Sequence, residues 1–228
     1  MCGRFTLTTG LGEIIQRFNL NQQEDAVEHS PRYNIAPTQT VPVIVEDGGE
    51  KKAVPMRWGL VPRWAKDLKI GNRLINARSE TIRQKPAFRR SFLRHRCLVP
   101  ADGFYEWNVT EEKKQPMRIV LDQGELFAFA GLWDQWESPE GEVVHSFTII
   151  TTRANEKMAD IHDRMPAILH PADESVWLDP SLKDPELLRN MLQPYPSETM
   201  EMYPVSSQVN SPHHDAPDCI QPLSVPTE

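Results

Sequence analysis

Little in this chain could staple it, anchor it in a membrane or clip a metal or nucleotide into it. Its 228 residues hold only three cysteines, Cys2, Cys97 and Cys219, far apart and without a CxxC pair or a companion histidine spacing. That argues against both a disulfide framework and a zinc site, and it suits a reducing cytoplasm. No apolar run approaches the roughly 18 residues of a membrane span, and no charged-then-apolar leader opens the chain, so neither membrane insertion nor export is expected. A Walker A loop, a GxGxxG fingerprint and an HExxH pair are all missing, so no cofactor and no metal are expected. Internal repeats and a βαβ rhythm are missing too.

Charge is plentiful but uneven. A net charge of −7 alone would discourage a nucleic-acid partner. Residues 51–100, however, hold 14 Lys and Arg against two acids, Asp67 and Glu80, whereas residues 101–228 hold 8 against 23. Such asymmetry predicts one face built for a polyanion and a remainder that keeps the protein in solution.

Apolar spacing predicts helices over 11–18, 86–93, 154–161, 171–178 and 185–192. Short strands are predicted over 41–45, 54–58, 97–99, 104–107, 117–121, 126–132 and 146–152, with Asp47-Gly48-Gly49 as the first turn. Residues 59–85, rich in charge, Trp and Asn, read as a functional loop region. Together these predict a single α+β domain over 2–205: a curled, mainly antiparallel sheet with a barrel-like core and flanking short helices. From residue 206 to 228 the chain is rich in Pro and Ser, and an irregular or disordered tail is expected.

The second residue carries the most chemistry. Aminopeptidases remove Met1 when the next side chain is small, and Cys2 is small. The chain would then start with an amine (free pKa about 7.7–8.0) and a thiol (about 8.5) on adjacent carbons. Such a 1,2-aminothiol reacts with aldehydes: the amine forms a Schiff base and the thiol closes a thiazolidine. The alternative is a buried cysteine near a frayed terminus. Four further segments hold candidate site residues: Arg32-Tyr33-Asn34-Ile35-Ala36-Pro37-Thr38, the run from Arg73 to Glu80, Asp102-Gly103-Phe104-Tyr105-Glu106-Trp107, and Ile161-His162-Asp163-Arg164-Met165-Pro166. Asn76 and Arg78, two apart, share a side if their segment is extended. Glu106 lies among aromatics, either outward and solvated or inward with a raised pKa suited to proton transfer.

Cys2-Gly3-Arg4-Phe5, Tyr33-Asn34-Ile35-Ala36-Pro37, Trp58-Gly59-Leu60-Val61-Pro62, Asn76-Ala77-Arg78-Ser79-Glu80, Gly103-Phe104-Tyr105-Glu106-Trp107 and His162-Asp163-Arg164-Met165-Pro166 resemble, in that order, the SRAP family. These are SOS-response-associated proteins that crosslink to abasic sites in single-stranded DNA. The resemblance runs from residue 2 to about 205. It implies that Cys2 forms the thiazolidine with the ring-opened abasic aldehyde and so shields the strand from cleavage. It further implies that Glu106 shuttles protons, His162 assists ring opening and reversal, and Asn76 orients the adduct. Arg78 and Arg164 would grip phosphates, Trp64 and Pro37 would stack on or wedge bases, and Arg4, Asn34 and Arg83 would join the DNA-binding set. A monomer acting on abasic single strands and strand–duplex junctions, nucleoid-associated when bound, is the expected partner picture. Two alternatives stay open on sequence alone: an N-terminal-nucleophile amidotransferase or peptidase, and a non-covalent single-strand binding module. Loss of Met1 by aminopeptidase or by self-cleavage is equally open.

Overall fold

The β-branched run from Thr40 and the glycine pair behind it set the first large element. Strand β3 (Thr40–Asp47) folds back on β4 (Glu50–Trp58) in the register Val43↔Val54. Gly48 and Gly49 both take positive φ, 64° and 86°, as a two-residue hairpin turn requires. The computed structural model describes residues 2–21, 27–110, 114–122 and 124–223. In chain order the remaining elements are β1 (Phe5–Leu7), α1 (Leu11–Phe18), β2 (Arg32–Ile35), β5 (Asn76–Arg78), α2 (Arg89–Arg94), β6 (Arg96–Ala101), β7 (Gly103–Val109), β8 (Lys114–Leu121), β9 (Phe127–Glu137), β10 (Val143–Arg153), α3 (Glu156–Ala159), β11 (Arg164–Pro166), α4 (Pro171–Leu178), α5 (Pro185–Asn190) and β12 (Met200–Pro204).

Strands β10, β4, β3, β6 and β9 pair in sequence, and β9 returns to β10, closing a barrel. All its joints are antiparallel except β4–β10, which is parallel at Ser146↔Arg57 and Phe147↔Trp58. Beyond that joint β5 takes over the same edge of β10, with Ile149↔Asn76 and Thr151↔Arg78, while β11 pairs along the opposite edge. A second sheet, in the order β12-β8-β7-β1-β2, lies over one end of the barrel. Its plug is Phe5, whose ring meets Trp58 at 5.2 Å and Phe129 at 5.9 Å. Phe104 adds an edge contact to Phe129 at 5.9 Å. The α+β class and barrel-like core expected from the sequence are therefore present.

Several boundaries differ from expectation, each for a local reason. The helix expected over 86–93 begins only at Arg89, because residues 78–88 form successive turns through Thr81, Gln84 and Lys85 before the helical bonds start. The helix over 154–161 shrinks to α3, since Asn155 caps it by accepting the Met158 N–H. The helix over 185–192 stops at Asn190, and Asp184 caps its start. The tail expected from 206 is irregular but, up to residue 223, not disordered. It forms two 3-10 turns, Ser207–Asn210 and Pro217–Ile220, and packs Val209 and Cys219 out of solvent. Residues 224–228 of that expectation, like Met1, lie outside the described residues.

The loop after β4 crosses the barrel wall through a close backbone approach. Gly59, at φ 115°, and Gly71 face each other so tightly that a Cβ on Gly59 would stand 2.6 Å from the Gly71 carbonyl oxygen. Gly59→Ala should therefore cost about 2–3 kcal/mol and loosen the loop that carries Trp64. Thermal unfolding checks this; an unchanged melting temperature would contradict the packing described.

Candidate functional site

The site is built where β1 and β7 cover the barrel end. β1 pairs with β7 as Phe5↔Phe104 and Thr6↔Gly103, and Tyr105 N–H donates to the Arg4 carbonyl at 3.0 Å. Continuing that register sets Gly3 beside Glu106 and brings Cys2 to the same corner. The segment is fastened by Asp102, which accepts from Thr6 Oγ1 at 2.6 Å and from Thr8 Oγ1 at 2.8 Å and the Thr9 N–H at 3.1 Å. Cys2 is fully buried. Burial, aided by the Glu106 charge, pushes its thiol well above the ordinary range, so the thiol stays protonated at neutral pH. Glu106 is 3% exposed; burial raises its carboxyl, and the nearby His162 opposes that shift.

His162 enters from the turn between α3 and β11. Its Nδ1 lies 2.9 Å from the Arg164 N–H and 3.0 Å from an Asp163 carboxylate oxygen. The neutral ring accepts the first; the imidazolium donates to the second. Asn76, on β5, donates its Nδ2 to the Ile75 carbonyl at 3.0 Å, and its buried Oδ1 has no hydrogen-bond donor among the described residues. The parallel β5–β10 register turns Asn76, Arg78 and Thr151 to one side of the sheet, and the β10–β11 register adds Arg164 to it. Arg78 is exposed and carries no ion pair among the described residues. Arg164 is already held: its NH1 and NH2 donate to the two Glu80 oxygens at 2.6 and 3.0 Å, and NH2 also to the Thr151 carbonyl at 2.7 Å. Burial alone would raise the Glu80 carboxyl, but the Arg164 bonds and charge hold it below its ordinary range.

The remaining sequence candidates divide. Trp64 is 57% exposed on the loop after β4. Pro37 precedes Thr38, whose φ of 77° is a strained value for a β-branched residue, and the Thr38 N–H donates to the Trp58 carbonyl at 2.9 Å. With Gly3, Arg4, Trp107, Lys114 and Asn210, Pro37 lines a cavity of about 510 Å³. Arg4 donates to Asn34 Oδ1 at 2.8 Å and to the carbonyls of Val209 and Asn210. Asn34 is fully buried, and its Nδ2 bonds to the Val209, Ser211 and His214 carbonyls, which leaves it no polar side-chain atom for a strand. Its part is to hold Arg4 against the C-terminal strap. Arg83 stands apart, in an exposed pair with Glu186 at 2.9 Å. Glu80, Thr151, Trp107 and Lys114 join the surroundings without having been singled out. Glu80 and Trp107 sat inside quoted motifs, whereas Lys114 in an acidic stretch gave no signal.

The basic segment is mixed in use. Arg63, Lys66, Arg89 and Arg94 are exposed without ion pairs among the described residues, but Arg96 is buried and bonds to the carbonyls of Phe92, Trp177, Asp179 and Leu182. No helix among the described residues is long and apolar enough to cross a membrane. A potential ligand trio, His214, Asp218 and Cys219, lies within 4.8 Å in the strap, where His214 and Asp218 already pair at 2.9 Å.

The Glu106 shift has a stability consequence. A raised carboxyl binds its proton more tightly in the folded chain, so its burial costs stability increasingly as pH climbs from the ordinary value of about 4.3 through the raised one. Glu106→Gln should melt above the parent at pH 7, with the gap closing as pH falls toward that ordinary value. Equal melting temperatures at both ends of the range would contradict the burial cost.

Comparison with known proteins places the chain in a family. The family model described as SOS response associated peptidase (SRAP) matches residues 1–212. A Bacillus subtilis protein named abasic site processing protein YoqW is 50% identical over 222 residues, covering 97% of this chain and 99% of its own. The chicken (Gallus gallus) protein named abasic site processing protein HMCES is 34% identical over 276 residues, covering 100% of this chain and 80% of its own. The crystal structure of a Bacteroides thetaiotaomicron protein superposes with a TM-score of 0.87 at 27% identity, covering 98% of this chain and 100% of that one. With its motifs in order and its model match nearly end to end, the chain belongs to the SRAP family.

Proposed function

We propose that this protein senses and shields abasic sites in single-stranded DNA by bonding to them covalently through Cys2 once Met1 has been removed. The observation that carries the reading is that buried Cys2 lies within the field of Glu106 and Glu106 within that of His162, while the buried Oδ1 of Asn76 on β5 has no donor among the described residues. The names of relatives at 50% and 34% identity support the substrate.

In this reading the Cys2 amine condenses with the ring-opened sugar aldehyde and water leaves, forming an imine. The thiol then adds to the imine carbon; its proton passes to the imine nitrogen, and the thiazolidine is closed. A thiol kept protonated by burial needs a base for that step, and Glu106 supplies it, taking the thiol proton and returning it to nitrogen. Asn76 Oδ1 accepts a hydrogen bond from the opened sugar, and His162 moves the proton of ring opening and of reversal. Exposed Arg78 and pre-oriented Arg164 grip the flanking phosphates, while Trp64 and Pro37 meet the adjacent bases. Met1 leaves by aminopeptidase or by self-cleavage at the same residues. The protein acts as a monomer on single strands and strand–duplex junctions, nucleoid-associated while bound.

Mature protein mixed with an abasic single-stranded oligonucleotide should give a heat-stable band of combined mass. Cys2→Ala should lose that band yet keep its DNA affinity within a few-fold, and its amine should give only a borohydride-trapped adduct. Glu106→Gln should slow band formation by about 10²–10⁴-fold. A heat-stable, unreduced adduct from Cys2→Ala would overturn the assignment.

A further inference from the structure

We infer that the DNA track continues beyond the abasic pocket, past Trp64, into a second subsite that takes one more nucleotide of the same strand. This inference rests on the DNA reading above. The subsite is a cavity of about 420 Å³ between the loop after β4, the end of α2 and β9, within the size range of about 300–1,000 Å³ for ligand sites. Its working walls are Arg63, Arg90, His95 and Trp133, with Asp134 as floor and Gln135 and Glu137 at the rim.

Three features make it a nucleotide site rather than a surface dimple. First, it joins cations to an aromatic stack: the His95 ring lies on Trp133 at 4.8 Å, 22° from parallel. A base has a π-face to add to that pair whatever its identity. Second, the cations are prepared for an anion. Arg63 is exposed with no partner for its guanidinium among the described residues. Arg90 is turned into place by the buried Asp134, 3.3 Å away, and His95 Nδ1 stands 3.5 Å from the same carboxylate. Asp134 itself is occupied, since it also accepts the N–H groups of Arg63 at 3.1 Å and Gln135 at 3.0 Å. It therefore orients the cations from the floor of the cavity, and a phosphate would sit at the Arg63–Arg90 side, away from Glu137.

Third, the subsite is rigid. The loop is pinned to the barrel wall step by step: the Gly59 N–H to the Phe147 carbonyl at 2.8 Å, the Val61 N–H to Ser146 Oγ at 2.8 Å, Arg63 to Asp134, and Trp136 Nε1 to the Ala65 carbonyl at 2.8 Å. Asn76 pairs with Ile149 and Asp134 with Ser146, three residues apart along β10, about 10 Å, so the two side chains stand on opposite faces of the sheet and the DNA strand would reach the subsite around the loop after β4. Exposed Trp64 follows Arg63 directly and offers a base its ring on the way.

The test is fluorescence anisotropy with uncrosslinkable Cys2→Ser protein and oligonucleotides carrying a tetrahydrofuran abasic analogue. Single-stranded flanks are lengthened separately on the 5′ and the 3′ side. Affinity should keep rising on one side beyond the length that saturates the other. Arg63→Ala and Arg63→Glu should remove that extra gain and lower the salt slope by about 0.7, one phosphate's worth, leaving the shortest oligonucleotide bound as before. Arg90→Lys should weaken the gain while keeping the charge on Asp134. Crosslinking at saturating short DNA by Arg63→Ala with Cys2 intact should proceed at the parent rate. Equal losses on short and long DNA, or flanks that count alike on both sides, would overturn the subsite while leaving the DNA reading standing. Failure of the parent to bind any of these oligonucleotides would overturn both.

Discussion

The structure depends on how firmly its first residues are held. Chain termini ordinarily fray, yet Phe5 is buried as the plug of the barrel and Asp102 collects the hydroxyls and amides of Thr6, Thr8 and Thr9. Full burial of a phenylalanine stabilises by about 1.5–3 kcal/mol, and hydrogen bonds to a charged group by about the same each. That is ample to hold a short segment in one register. Because β1 is locked against β7, Cys2 and Glu106 cannot drift apart, and because Arg4 is tied to Asn34 and the strap, the opposite side of the segment is closed as well. The C-terminal strap is thus part of the N-terminal site.

Burial then sets the protonation pattern. Taking Cys2 and Glu106 out of water disfavours both anions: the Cys2 thiol keeps its proton at neutral pH, and the Glu106 carboxylate binds a proton more readily than it would in water. In the proposed reaction that order is useful: an amine attacks first, and a thiol follows only when a neighbouring carboxyl relays its proton. The two arginines proposed to grip phosphates follow a different rule. Arg78 carries no ion pair among the described residues, whereas Arg164 is pre-aligned by Glu80 and Thr151, which would reduce the entropy lost on meeting a phosphate.

Much of this was legible in the residues. Helices α1 and α4 lie where amphipathic spacing and a proline at the first helical turn predict them, and the β3–β4 hairpin follows from β-branched residues around a double-glycine turn. Strands β1, β2, β5, β11 and β12, three to five residues each, are too short for any period to register. Barrel closure through the parallel β4–β10 joint pairs residues nearly ninety positions apart, a relation no local pattern encodes. The candidate site residues were visible because they sit in motifs. What each does was not: Asn34 is an amide bound within the protein, Arg96 is a cation turned to structural use, and Glu80 and Asp134 orient arginines. Those roles come from partners distant in sequence.

The central claim is that Cys2 closes a ring through both nitrogen and sulfur. Mass spectrometry of the N-terminal peptide released from the DNA adduct, with and without borohydride, tests it most directly. The account predicts a Cys2 peptide, free of Met1, that carries the sugar less the elements of water and gains no hydrogen on reduction, because a thiazolidine has no C=N bond. A peptide that takes up hydrogen, or a sugar attached to any residue other than Cys2, would contradict it.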